Sequence, residues 1–165
     1  LREYERAREQ LIATVGAIFA YMGGATQANA GLFKNNAALK KTEAANQWNY
    51  FQAKSTKQAL AELARDLASE DKKPGYQSKI ERYEKEKNEI KTAAEKLEAE
   101  AADWDRQSDA QLHQHHRWAQ ATTALQISIA LAAIALLTRR KWLEYGMFGV
   151  AGIGVVLGAA AALHL

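Results

Sequence analysis

Two long apolar runs joined by three consecutive cations constrain this chain more than any other feature. Residues 118–138 (WAQATTALQISIALAAIALLT) and 142–165 (WLEYGMFGVAGIGVVLGAAAALHL) flank Arg139-Arg140-Lys141. About 20 apolar residues in helical form cross the hydrocarbon of a bilayer, so each run is long enough for one span. Trp118, Trp142 and Tyr145 stand where aromatic side chains anchor at the membrane–water boundary. Two spans with a basic link form a membrane hairpin. Short loops rich in Lys and Arg stay cytoplasmic, which puts 139–141 inside and the C-terminus outside.

A third run lies near the start. Residues 10–33 carry no charge, and LIATVGAIFAYM is strongly apolar whereas GGATQANAGLF is weak. Length predicts transmembrane helix 1; a buried helix of a soluble fold or the apolar part of a signal peptide are the competing readings. The run passes straight into charged helical sequence with no cleavage-site break, which argues against a signal peptide. Gly16, Ala20 and Gly24 recur every four residues, as do Gly154, Gly158 and Ala162. Small residues at that interval let membrane helices approach closely, so both sets are predicted helix contacts. Residues 1–9 are charged and predicted helical.

Between the first and second runs, residues 34–117 hold 16 Lys and Arg against 15 Asp and Glu. The pI near 9.1 therefore reflects no concentrated basic face, and nucleic-acid binding, which needs one, is not expected. Cysteine is absent, so no disulfide restricts the compartment. The Glu and Lys run over 81–100 reads as a solvated helix face. Pro74, the sole proline, is followed by Gly75, a strong turn signal, and helical sequence runs away from it both ways. This predicts an antiparallel hairpin with its turn near 69–76 and arms of about 65 Å at 1.5 Å per residue.

The descending arm alternates spacings of four and three at Tyr76, Ile80, Tyr83, Lys87, Ile90, Ala94, Leu97, Ala101, Trp104, Ser108, Gln111, His115 and Trp118. That is the seam of a coiled coil. A matching frame on the ascending arm runs Leu32, Asn35, Leu39, Thr42, Asn46, Asn49, Ala53, Thr56, Leu60, Leu63 and Leu67. A tight turn at Pro74 would pair residues whose numbers add to about 147, setting Leu63 on Tyr83, Thr56 on Ile90, and Thr42 and Asn46 around Trp104. A second stripe (Ala37, Ala44, Trp48, Phe51, Ser55) falls outside this frame. Trp48, Phe51 and Ser55 are accordingly predicted contacts with another molecule.

The densest part of the ascending arm, Trp48-Asn49-Tyr50-Phe51-Gln52-Ala53-Lys54-Ser55 within NNAALKKTEAANQWNYFQAKSTKQ, together with the RRKW link, resembles a bacterial inner-membrane family known as domain of unknown function 4337. The resemblance covers most of the chain. It implies an integral inner-membrane protein with a long helical segment between the first and second spans, and carries no activity, ligand or catalytic residue. With the basic loop cytoplasmic, the N-terminus is expected in the cytoplasm and the hairpin in the periplasm.

Few constellations carry chemistry. Asp105, Asp109, His113 and His116 share a sector of one helix, and carboxylate with imidazole at such spacing can ligate zinc or another divalent metal; a solvated cluster facing headgroups is the plainer reading. Gln27, Gln120 and Gln126 are polar residues in membrane-type sequence, costly against lipid, and the 147 register would bring Gln27 beside Gln120. The sequence has no nucleophile–base pair, phosphate loop or dinucleotide glycine motif, so neither an enzyme nor a cofactor is expected. The fold class expected is all-α, with three transmembrane helices and a long antiparallel coiled coil between the first and second. The function expected is that of a scaffold or accessory subunit in the bilayer, acting as a homo-oligomer or within a larger membrane complex. Two alternatives are a conductor of ions or small molecules lined by the glutamines, and a metal-binding sensor.

Overall fold

The computed structural model describes residues 2–164, and all regular structure among them is helical. Helix α1 spans Arg2–Leu67, α2 Lys73–Thr138 and α3 Lys141–Ala162. Each of the three contains a stretch long and apolar enough to cross a membrane. Ala, Leu, Lys, Glu and Gln, all good helix formers, dominate α1 and α2, whereas α3 carries five glycines among its 22 residues. Residues Phe33–Arg106 form one compact unit, and Leu1–Leu32 with Gln107–Leu165 form another.

Helix α1 ends seven residues before Pro74. Its last turn closes through Ala68 N–H donating to the Arg65 carbonyl, and the link closes through Lys72 N–H donating to the Ser69 carbonyl. Pro74 stands inside the first turn of α2 rather than at the bend. A proline there loses nothing, because that turn has no acceptor for its N–H, and its fixed φ suits the helix. The expectation that Pro-Gly forms the crest of the turn is therefore corrected: the crest is 68–72.

The displacement shifts the pairing of the Phe33–Arg106 unit. Phe33 packs on Trp104 with ring centroids 5.5 Å apart. Lys54 pairs with Glu86 at 2.5 Å and Lys40 with Glu100 at 3.4 Å, while Arg65 Nη1 donates to Gln77 Oε1 at 2.9 Å. The two helix segments run antiparallel, with numbers adding to about 140 and not 147, one heptad short of the sequence reading. Leu63 does not meet Tyr83, and Trp104 lies against Phe33 instead of Thr42 or Asn46.

The face α1 turns inward is also not the one the leucines mark. On α2 every residue of the 4-3 frame in this unit is buried or half-buried, from Tyr76 to Trp104. On α1 the inward frame is Phe33, Ala37, Lys40, Ala44, Gln47, Phe51, Lys54, Gln58, Ala61 and Arg65. Ala37 and Ala44 are 1% and 2% exposed, whereas Leu39, Leu60 and Leu63 are 56%, 60% and 58% exposed. The physical reason is fit. The α2 seam already carries Tyr76, Tyr83, Leu97 and Trp104, and close packing opposite such side chains requires small ones. Alanines supply that space, and Lys40 and Lys54 lay aliphatic stems along the seam while their ammonium groups reach carboxylates at its edge.

In the other unit, α2 and α3 meet through a short link. Arg139 adopts a left-handed φ of 52° while its N–H still reaches the Ala135 carbonyl at 2.8 Å, an arrangement that ends helices more often at glycine. Arg140 is extended and precedes the first residue of α3. The interior of this unit is built from small residues: Gly16, Gly23, Thr26 and Ala30 on α1; Ala121, Ser128, Ala132 and Ala135 on α2; Ala151, Gly154, Gly158 and Ala161 on α3. Leu125, 1% exposed, lies at its centre, and Trp118, Leu143 and Met147 are the other large side chains buried there.

Candidate functional site

With no bound molecule to mark a site, the arrangement of polar groups and close contacts has to be read helix by helix. Leu125 is where the three helices of the second unit converge. A Cβ placed on Gly16 would meet its side chain at 3.7 Å, and one on Gly154 at 3.0 Å. Gly23 lies under Trp118, and Gly158 lies so close to the ring of Phe19 that a Cβ there would fall 2.2 Å from two ring carbons. Phe19 in turn packs on Trp118 at 5.2 Å. Of the expected contact residues, Gly16, Gly154 and Gly158 are thus buried within the protomer. Ala20, Gly24 and Ala162 are exposed, because the actual contact lines step through Gly23 on α1 and Ala161 on α3 at alternating intervals of three and four.

Three hydrogen bonds tie backbone carbonyls across these helices. Ser128 Oγ, fully buried, donates to the Met147 carbonyl at 3.0 Å, and Ser108 Oγ donates to the Ala30 carbonyl at 2.8 Å. His115 Nδ1 lies 2.8 Å from the Gly23 carbonyl; a carbonyl only accepts, so Nδ1 carries the proton. Each replaces a helix–helix contact of hydrocarbon with a directional one that satisfies the donor. Ser108 and His115 belonged to the 4-3 frame read from the sequence. The bond from Ser128 did not announce itself there, since α3 shows no matching polar residue: the acceptor is backbone.

The three glutamines are a different case. Gln27, Gln120 and Gln126 are all exposed, and Gln27 and Gln120 do not pair, since their juxtaposition depended on the 147 register. They lie on outward surfaces of α1 and α2. On the same unit, Leu11 and Ile12 of α1 with Phe148, Ala151, Gly152 and Val155 of α3 line an open apolar groove of about 510 Å³.

The expected metal set does not come together. Asp105 is held by two ammonium groups, Lys34 at 2.8 Å and Lys41 at 2.5 Å, and these hydrogen bonds hold its carboxyl below the usual range. Asp109, His113 and His116 are exposed. Among the described residues no three His, Asp or Glu side chains are grouped to hold a metal ion. A shared sector of one helix was insufficient, because the opposing arm supplies lysines and no further ligand.

A second ionic cluster sits mid-seam in the Phe33–Arg106 unit. The Glu86 carboxyl is held below its ordinary value chiefly by its bond to Lys54, and Lys54 is raised by Glu86 and then by Tyr50. Lys54 lies over the ring of Tyr83 at 5.6 Å and Lys87 over that of Phe51 at 5.4 Å, within cation–π range. Trp48 Nε1 donates to Glu98 Oε1 at 2.7 Å and its ring meets Phe51 edge-on. Trp48 and Phe51 are thus half-buried with contacts inside the protomer, and Ser55, also half-buried, donates its hydroxyl to the Phe51 carbonyl of its own helix. The signal that marks the inward face was present in the sequence as Ala30, Ala37 and Ala44, spaced by sevens.

Turned away from that seam is a stripe with its own heptad spacing: Leu39, Thr42, Asn46, Asn49, Ala53, Thr56, Leu60, Leu63 and Leu67, all exposed and none charged. Thr42 and Thr56 satisfy their hydroxyls locally, donating to the Ala38 and Gln52 carbonyls.

A family model described as a domain of unknown function (DUF4337) matches residues 8–164. No curated protein and no solved structure matches the chain.

Proposed function

We propose, for a chain that belongs to the DUF4337 family, described as a domain of unknown function, the role of a membrane-anchored helical scaffold or accessory subunit. Its spans lie within 10–33, 118–138 and 142–165, the helix arms between the first two pair as an antiparallel coiled coil outside the membrane, and the protein works by binding copies of itself or a larger membrane complex. One observation carries this reading. The apolar stretches of all three helices turn large hydrocarbon side chains outward, among them Leu11 at 66%, Leu137 at 83% and Val156 at 68% exposure, around an interior in which Gly, Ala and Ser outnumber the buried Trp118, Leu125, Leu143 and Met147. A water-soluble bundle does the reverse; in lipid, helices associate through small residues and hydrogen bonds while bulky apolar groups face the acyl chains.

The basic link Arg139-Arg140-Lys141 favours the cytoplasmic side, with the N-terminus on the same side and residues 34–117 and the C-terminus opposite. In a bacterial inner membrane that segment is periplasmic. The reading assigns no catalytic step to any residue, and the paired ions along the seam act in holding the helices together.

Purification in native lipid particles, with cross-linking before extraction, tests the role. The expected result is a complex of several copies or a defined neighbour. A lone copy without neighbours would overturn it. The exposed Gln27, Gln120 and Gln126 support a second reading, an oligomer that conducts ions or small polar molecules, since amides against lipid are costly. Conductance in planar bilayers that is lost in the Gln120→Leu and Gln126→Leu variant would establish that reading over scaffolding.

A further inference from the structure

The outward stripe of α1 is a second helix-packing seam without an intramolecular partner, and we infer that its occupant is the same stripe of a second copy, parallel and in register. The stripe runs from Leu39 to Leu67, about 42 Å at 1.5 Å per residue. Every residue on it is uncharged, while eight Lys, Arg, Asp and Glu residues stand at the other positions of the same segment, on either side of a charge-free run over 44–53. A solvated helix face is charged or polar, whereas Leu39, Leu60, Leu63 and Leu67 put four large apolar side chains on this face. This one keeps the 3-4 alternation of a coiled coil for four heptads, with Leu39, Asn46, Ala53, Leu60 and Leu67 at one core position and Thr42, Asn49, Thr56 and Leu63 at the other. The intramolecular seam occupies the opposite face, so the two contacts do not compete.

The chemistry of the stripe selects its occupant. It presents no charge for an oppositely charged partner to recognise. What it presents is self-complementary: leucines, which pair with leucines, and the amides of Asn46 and Asn49, each both donor and acceptor. In an in-register parallel pair each amide meets its own copy across the axis. Asparagine at such core positions fixes register and limits the number of strands. The flanking positions agree. Ala38, Ala45 and Ala59 on one side are small enough for close approach, and in a parallel pair Ala38 faces Glu43 and Gln52 faces Lys57 of the other copy, with no like charges opposed. The parallel sense rests on the proposed membrane anchoring, which projects the 34–117 segments of two neighbours in the same direction.

Because the chain lacks cysteine, single cysteines report contacts cleanly. Asn46→Cys and Leu60→Cys lie on the stripe; Thr92→Cys, on the exposed face of α2, is the control. Oxidation by copper phenanthroline in native membrane vesicles is expected to convert both stripe variants to linked homodimers and to leave the control unlinked. A protein that purifies in several copies yet gives no stripe cross-link overturns this inference alone; a lone copy overturns it together with the scaffold reading. Co-expressed Leu39→Cys and Leu67→Cys chains that link to one another would show an antiparallel pair and overturn it too, as would linkage of the stripe to a different protein. The double substitution Leu60→Glu and Leu63→Glu, at exposed sites that leave the protomer's helicity intact, is expected to abolish those cross-links and to lower the particle mass. Cross-links that persist undiminished in that background would also refute it.

Discussion

Replacing Gly158 by alanine isolates the close packing of the three-helix unit in one methyl group. The new Cβ would stand 2.2 Å from Cε2 and Cζ of Phe19 and 3.0 Å from its Cδ2. The ring cannot simply swing aside, because Trp118, only 6% exposed, packs on it. Forcing extra volume into a packed core costs about 1–3 kcal/mol. Alanine also removes glycine's penalty within a helix, a gain of up to about 1 kcal/mol. Gly152→Ala supplies the reference, since it lies on the same helix, is exposed, and has nothing within 4 Å of its added Cβ. The propensity gain cancels between the two variants, leaving the clash of about 1–3 kcal/mol as their difference. For a chain of this size that is a gap of roughly 2–12 °C in Tm, measured by intrinsic fluorescence in nanodiscs. Phe19→Leu, which trims the obstructing ring, should narrow the gap. If Gly158→Ala and Gly152→Ala melt together, the reasoning about this contact is wrong.

Trp104→Ala should destabilise the Phe33–Arg106 unit by about 2 kcal/mol, roughly half the cost of removing a fully buried aromatic, because the indole is half-buried against Phe33; circular dichroism melting of the full chain checks it. Ser128→Ala deletes the bond to the Met147 carbonyl and should cost about 0.6 kcal/mol, with about 1.7 as the ceiling for such interhelical bonds, read from the same fluorescence melt. Acid should weaken the seam. Asp105 and Glu86 have carboxyls depressed by Lys34, Lys41 and Lys54, so their contribution is fully present above the ordinary carboxylate range and is lost as pH falls through the depressed folded values. Lys40 and Lys54 are raised, and their contribution is lost only as pH rises past the ordinary lysine range. Melting temperature should therefore be flat near neutrality and fall at both extremes, and Glu86→Gln should flatten the acid limb.

The three helices and the α2 seam were legible because their signals are local. Apolar length, the basic link and the unbroken 4-3 alternation from Tyr76 to Trp118 need no partner to be read. The partner face of α1 was not legible by the same rule, since α1 carries two heptad stripes and the leucine-rich one looks more like a core. What decides between them is the bulk of Leu97 and Trp104 on the facing helix, which favours Ala37 and Ala44 over Leu39. The register depended on where the chain bends, and Pro74 reads equally as a turn residue or as the opening of a helix. Only the hydrogen bonds of 65–72 separate the two. The Asp105 cluster misled for a related reason: residues on one helix face suggest a metal, but the lysines that neutralise Asp105 sit 71 and 64 positions away in sequence. The close contacts at Gly23 and Gly158 depend on aromatic neighbours from other helices, which spacing alone does not reveal.

The account stands most directly on the three spans and the side each loop occupies. Two single-cysteine variants read that out in intact cells with a membrane-impermeant maleimide: Ser69→Cys, exposed at the crest of the 68–72 turn, and Thr138→Cys, exposed at the end of α2 beside the basic link. The account predicts labelling of Ser69→Cys from outside and of Thr138→Cys only after permeabilisation. Labelling of both from the same side would contradict it.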